Sequence, residues 1–150
     1  MLIGQYESRV GEKHQAGLPK KFREILCDKL IITKGFENCL ILVSEDNWKT
    51  LLEGTEGKPF TSKSTRELQR FLLGNASDIE LDQKGRFVIP EYLRIFAHIS
   101  SDVIFVGISR FVEIWDKKSW EEHQQELAKD IDSIAERLTV EDLPAKKSNE

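Results

Sequence analysis

A mixed α+β, β-rich fold is what this 150-residue sequence predicts, arranged as a pseudo-twofold barrel of two repeats with short helices and one long C-terminal helix. Three observations carry the prediction. The stretch VGEKHQAGLPKKFR at 10–23 returns 71 residues later, in altered form, as LDQKGRFVIPEYLR at 81–94. After each copy comes a strand, a glycine, a second strand and a helix, with Gly35 to Trp48 and Gly107 to Trp120 both spaced by 13 residues. Finally, Trp120, Leu127, Ile131, Ile134 and Leu138 recur at near-helical spacing through an otherwise polar run. Two β-rich half-units in one chain can pair about a pseudo-twofold axis and close one another's exposed sheet edges.

The elements follow in order. Short strands are expected near 3–9 and 14–18, then a short helix whose first turn takes Pro19, where a missing N–H costs nothing. LIITKGFENCLILVS reads as strands 30–33 and 38–43 joined in a hairpin, with Gly35 expected to supply a positive φ. SEDNWKTLLEG reads as a helix capped by Ser44 and stopped by Gly54. In STRELQRFLLG, Ser64 and Glu67 stand at capping-box spacing, Leu68, Phe71 and Leu72 form an apolar face, and Gly74 ends the helix. The pattern then restarts: DIELDQKGRFVIP predicts two strands about a Lys84–Gly85 turn, Pro90 opens a short helix, and DVIFVGISRFVEIW predicts another hairpin. The boundaries are a first repeat at 3–54, a connector and linking helix at 55–76, a second repeat with the long helix at 77–138, and a flexible tail at 139–150.

Composition supports a packed core, with 39% hydrophobic residues, three Trp and eight Phe. Halves of about 75 residues would be marginal alone, so the repeats are expected to share that core. No apolar run approaches the roughly 20 residues of a membrane helix, and MLIGQYESRV lacks the features of a secretory leader, which together predict a cytosolic protein. Cys27 and Cys39 have no second pair to complete a zinc site and are expected as buried free thiols. The net charge of −4 argues against a simple polycationic DNA coat, but charge is segregated. Arg9, Lys13, Lys20, Lys21 and Arg23 face a single Glu12 between 9 and 23, whereas 113–142 is rich in Glu and Asp.

Enzymatic chemistry finds no support. GTEGKPF has Gly54 and Gly57 too close for a phosphate loop, with Pro59 where Ser or Thr is required. His14, His98 and His123 show no metal-ligand spacing, and no Ser or Cys lies in a nucleophile motif. No cofactor, metal or small-molecule substrate is expected.

The start MLIGQY, then LPKKFREIL, GFENCLILV, NASDIELDQKGRFVIPEYLR, VGISRFVEIWDKKSWEE and AERL together resemble the MraZ family, built from two tandem SpoVT–AbrB swapped-hairpin units, over residues 3–138. The resemblance implies a bacterial transcriptional regulator, a repressor that binds G-rich direct repeats in promoter double-stranded DNA upstream of the division and cell-wall gene cluster. It also implies a ring-like homo-oligomer associated with the nucleoid. The family's DNA-contacting pattern, an Asp followed four positions later by Arg, is matched by Asp82 and Arg86, while Gly11 and Gln15 stand at the equivalent places in the first half. Arg86 is then expected to grip phosphate or the O6 and N7 of guanine, with Asp82 bracing it and Lys84 neutralising a phosphate. Lys13 and Gln15 are expected either to give the first half phosphate affinity with weakened or altered base reading, or to lie in a solvated turn with no DNA role. Arg23 and Arg94, at equivalent places, read as structural, and Trp48 and Trp120 as packing anchors. The competing reading is an interaction scaffold of the same fold with reduced or lost DNA binding, favoured by the acidic balance and the missing Arg; an antitoxin repressing its own operon, another use of AbrB-type units, would be shorter and would not need the duplication.

Overall fold

A computed structural model describes residues 1–27, 29–55 and 57–141. The chain divides into two compact units, residues 1–117 and residues from 118 onward. In order, the elements are β1 (Leu2–Arg9), β2 (Gln15–Gly17), α1 (Lys20–Leu26), β3 (Leu30–Lys34), β4 (Leu40–Ser44) and α2 (Glu45–Leu52), followed by a 3₁₀ turn (Glu53–Thr55). Then come α3 (Lys63–Leu72), β5 (Ser77–Ile79), β6 (Arg86–Val88), α4 (Glu91–Phe96), β7 (Asp102–Ser109), β8 (Phe111–Asp116) and α5 (Lys117–Glu141).

The strands form a six-stranded antiparallel sheet in the order β1-β7-β8-β4-β3-β5 and a two-stranded ribbon, β2-β6. The repeats exchange their strands. β1 pairs with β7 of the second repeat, from Leu2 opposite Ser109 to Arg9 opposite Asp102. Reciprocally, β5 pairs with β3 of the first repeat, Leu30 lying opposite Ile79. The hairpins β3-β4 and β7-β8 join through β4 and β8, where Ile41 faces Glu113.

The ribbon lies on the pseudo-twofold axis. Ala16 and Phe87, positions one repeat apart, are opposite each other. The hydrogen bonds beyond it are reciprocal: Leu18 N–H donates to the Gly85 carbonyl at 2.9 Å, and Ile89 N–H donates to the His14 carbonyl at 3.1 Å. The expected hairpin about Lys84–Gly85 is therefore a hydrogen-bonded turn whose flanking strands separate, β5 joining the large sheet and β6 the ribbon. Pairing across the repeats covers edges that neither could cover alone.

Both repeats supply the core. Phe22, Leu40 and Leu42 from the first pack in one cluster with Phe87, Ile89, Leu93, Phe105 and Ile114 from the second, and all are essentially excluded from solvent. Tyr6 meets Phe22 edge to face with ring centroids 5.0 Å apart, a favoured arrangement of aromatic quadrupoles. Where α3 ends, the hydroxyl of buried Thr33 donates to the Leu72 carbonyl at 2.6 Å, satisfying an acceptor the helix leaves open.

Several local expectations are corrected. The β3-β4 turn takes its positive φ at Glu37 and Asn38 rather than Gly35, where a side chain would crowd Cys39 and Ile41. Gly107 lies within β7, opposite Gly4, so close to β1 that a Cβ would approach Ile3 N to 2.6 Å. Ser44 does cap α2, accepting from Asn47 N–H at 3.2 Å, but Gly54 falls inside the 3₁₀ turn. For α3 the cap is Ser62, which accepts from Thr65 N–H at 3.3 Å. A turn from the Pro59 carbonyl to Ser62 N–H delivers that residue to the helix start, leaving Ser64 within the helix. Both cysteines are free, but only Cys39 is buried; Cys27 is exposed, at a positive φ after α1.

In the second unit α5 is helical through Glu141, three residues into the expected tail, and residues 142–150 lie outside the described residues. Trp120 is buried and stacks on His123, with ring centroids 6.3 Å apart. Ile131 and Leu138, further along the same stripe, are about half exposed.

Candidate nucleic-acid interface

The turn before β6 is organised by one carboxylate. Asp82 Oδ1 accepts from the backbone N–H of Lys84 at 2.9 Å and of Arg86 at 2.8 Å. Its Oδ2 accepts from Arg86 Nε at 2.9 Å. Gly85, at φ 77°, allows the chain to reverse, and its N–H donates to the Asp82 carbonyl at 3.0 Å. The Arg86 backbone N–H, foremost, holds the Asp82 carboxyl below its usual range, with further help from the Arg86 side chain and Lys84 N–H. An exposed ion pair alone would contribute little. This one also fixes the path of the turn.

The side-chain consequence is directional. With Nε occupied, the guanidinium of Arg86 retains its terminal nitrogens as a planar pair of donors on a half-exposed side chain. Such a fork matches two acceptors on a phosphate or on the major-groove edge of guanine. Lys84 is exposed at the same turn.

The equivalent turn in the first repeat keeps the backbone and loses the brace. His14 N–H donates to the Gly11 carbonyl at 2.9 Å, and Gly11 N–H donates to the Gln15 carbonyl at 3.2 Å, matching bonds in the second turn. His14 takes the positive φ of 60° that Gly85 takes in the other copy. Gly11 offers no carboxylate and Gln15 no guanidinium, although Lys13 remains exposed.

β2 and β6 bring these residues onto one surface. Ala16 and Phe87 point into the core, so the alternation of a strand sends Gln15, Gly17, Arg86 and Val88 to the opposite face. Gln15 stands opposite Val88 and Gly17 opposite Arg86, which places Gln15 and Arg86 about 7 Å apart along the ribbon axis. Lys13 and Lys84 flank opposite ends. The ribbon is tied down by Gly17 N–H, which donates to Ser8 Oγ on β1 at 3.2 Å. Val88, about half exposed, also belongs to this face, although the sequence pattern did not single it out.

Arg23 has a role that its sequence position only hinted at. A Cβ on Gly85 would fall 2.3 Å from Arg23 Cδ and 2.5 Å from its Nε. Helix α1 of the first repeat therefore lays its arginine directly over the turn of the second, and a glycine there is a steric requirement. Arg23 Nε is buried without a hydrogen-bond partner. Arg94 behaves differently: its Nη1 donates to the Ile89 carbonyl, on its own repeat, at 2.5 Å. The exchange is one-sided because His14 occupies the place where a second glycine would be needed.

Charge follows the same asymmetry. α1 opens with Lys20 and Lys21, exposed at a helix end that disfavours cations, whereas α4 opens with Glu91. The lysines do not serve helix stability and add positive charge to the first repeat. Elsewhere, the Cys39 thiol sits beside the Phe36 carbonyl and the Glu113 carboxylate, and burial chiefly pushes its ionisation well above the usual range. Such a thiol is inert. Among the described residues no cluster of His, Cys, Asp or Glu could hold a metal ion, and no helix is long and apolar enough to cross a membrane.

Comparison with known proteins agrees with this architecture. The family model for MraZ protein, described as antitoxin-like, matches twice, at residues 1–71 and 72–142. The "Transcriptional regulator MraZ" of Caldanaerobacter subterraneus subsp. tengcongensis is 44% identical over 138 residues, covering 92% of this chain and 96% of that protein. The protein of the same name from Thermoanaerobacter sp. strain X514 is 43% identical with the same coverage. That of Acetivibrio thermocellus is 39% identical over 140 residues, covering 93% and 98%. Two family matches, one for each strand-exchanged repeat, and full-length similarity to these regulators establish that the chain belongs to the MraZ family of transcriptional regulators, a non-enzymatic role.

Proposed function

We propose that the protein is a sequence-specific repressor that binds promoter double-stranded DNA through the solvent face of the β2-β6 ribbon. The observation that carries this reading is Arg86, braced by Asp82 and half exposed on a two-stranded ribbon whose other face is locked into the core. A two-stranded ribbon fits the major groove of B-DNA, and a bidentate arginine selects guanine there. Lys84, Lys13 and the lysines of α1 add phosphate contacts that carry affinity but no sequence information. Gln15 gives the first repeat a different and weaker base preference.

Several ribbons held in one ring would engage spaced G-rich direct repeats together, raising affinity through effective concentration. Occlusion of a promoter by such an assembly explains repression, and the implied target is the division and cell-wall gene cluster, with the protein carried on the nucleoid. The relatives' shared name supports transcriptional regulation; the ribbon geometry supports DNA reading.

Footprinting on the DNA upstream of the protein's own gene tests the reading, with periodic protection over spaced repeats as the expected result. Absence of protection at low salt would favour a scaffold instead. Arg86→Ala should reduce the preference for promoter over scrambled DNA by roughly tenfold to a hundredfold, the size of a lost bidentate contact. Lys13→Ala should weaken both DNAs equally and lower the slope of log K against log salt by about 0.9. Full specificity in Arg86→Ala would remove this residue from the interface.

A further inference from the structure

The two ends of the β2-β6 ribbon carry different pairs of side chains. Gln15 and Arg86 occupy equivalent places in the two repeats, as do Gly17 and Val88, so the pseudo-twofold axis relates the pair Arg86–Gly17 to the pair Gln15–Val88. Glycine opposite Arg86 leaves that end clear for one long side chain. At the other end a carboxamide and a branched aliphatic group stand directly across from each other, with Val88 about half exposed.

Backbone pairing sets how close they come. Leu18 N–H donates to the Gly85 carbonyl and Ile89 N–H to the His14 carbonyl, which makes those two positions hydrogen-bonded pairs. Gln15–Val88 is the next position along and is therefore a non-hydrogen-bonded pair, where opposing side chains lie closest, with Cβ atoms about 4.5–5.5 Å apart. The alternation that buries Ala16 and Phe87 keeps both on the solvent face.

Their chemistry is complementary to one kind of base pair. A glutamine carboxamide holds a donor and an acceptor side by side, the match for N7 and the N6 amino group on the major-groove edge of adenine. The thymine opposite that adenine shows a methyl group on the same edge, which an apolar side chain contacts. Valine offers nothing to a phosphate or to a guanine edge.

We infer that Gln15 and Val88, one from each repeat, together read an A·T base pair, Gln15 through adenine N6 and N7 and Val88 through the thymine methyl. The inference rests on the ribbon reading above and gives it a second specified base pair. Gln15 and Arg86 are about 7 Å apart along the ribbon, so the A·T pair falls within about two base steps of the guanine that Arg86 engages.

Duplexes of the footprinted promoter repeat, bound by the full chain, test this through small changes in the DNA. Replacing one thymine by deoxyuridine removes only the methyl and should weaken wild-type binding about fourfold at a single position near the guanines. 7-Deazaadenine at the partner base lacks the N7 acceptor and should weaken it about tenfold. Val88→Ala should bind the thymine and deoxyuridine duplexes equally, and Gln15→Ala should be indifferent to 7-deazaadenine. Both variants should still lose affinity for 7-deazaguanine duplexes, through Arg86. Wild-type binding unchanged by deoxyuridine and 7-deazaadenine at every A·T pair, with 7-deazaguanine still harmful, would overturn the Gln15–Val88 contact and leave the ribbon reading standing. Sensitivity to deoxyuridine that persists in Val88→Ala would overturn it as well, and wild-type indifference to all three analogues would remove both readings. The base substitutions act on the wild-type chain, so the test does not depend on either variant folding.

Discussion

Asp82 is the residue on which the proposed interface turns, because one carboxylate sets both the backbone reversal and the aim of Arg86. Its pKa is lower in the folded chain than in the unfolded one, so its contribution is complete above the unfolded value of about 3.9 and is lost as pH falls through the lower folded value. The Asp82 carboxyl carbon, followed by NMR, should therefore titrate below the ordinary Asp range, and specific binding should not weaken through loss of this brace between pH 7 and 5. Asp82→Asn keeps an oxygen for the two backbone donors but loses the charge that engages Nε. It should reduce discrimination between DNAs less than Arg86→Ala does, and no change in discrimination would show that Arg86 needs no brace. The Asp82–Arg86 pairing was legible from spacing and resemblance. The contact of Arg23 with Gly85 was not, since residues 62 positions apart meet only after the repeats exchange strands. Val88 was invisible for a similar reason: strand alternation assigns it to the solvent face only once Phe87 is known to be buried.

Among the elements, helices and strands were readable where a local rule decides them. Ser44 caps α2 as its chemistry suggests, while Pro19 and Pro90 mark the starts of α1 and α4 from the N-cap position, one residue before the first turn expected for them. The start of α3 shows how such a rule fails: Ser62 and Ser64 both offer a capping oxygen, and the preceding Pro59–Ser62 turn selects the first. Ser62→Ala should cost about 1 kcal/mol, whereas Ser64→Ala should stay within about 0.5 kcal/mol. Urea midpoints of the two variants separate the assignments, and equal losses would mean the cap is shared. Gly35 and Gly107 kept a common spacing to tryptophan without a common task. One avoids side chains near a turn and the other admits the backbone of β1. Spacing records ancestry there, while packing determines the present requirement.

At the scale of the whole molecule, each repeat depends on the other for hydrogen bonds as well as for core. Among the described residues β1 finds its partner only in β7, and β5 only in β3. Fragments 1–71 and 72–142, made separately, should lack cooperative thermal unfolding by circular dichroism and should regain it on mixing, because neither half buries enough surface alone. A monomeric 1–71 fragment that melts cooperatively would contradict this dependence. Duplication and a shared core could be inferred from the recurrence of the pattern and from chain length. That the halves would close one another's edges was also expected, but the order of strands was not, because repeat spacing does not say which strand of one half meets which strand of the other.

The ribbon's pairing of Ala16 with Phe87 has one more consequence. If the ribbon reads DNA as proposed, a dimer of identical chains would present the same edge twice and suit a palindrome. Here the two edges share one polypeptide, and one carries Arg86 where the other carries Gln15. The surface therefore has polarity: a DNA segment laid along it in one direction meets a different sequence of donors from the same segment reversed. Each site would have a head and a tail, and an array of such proteins would favour sites that all point the same way.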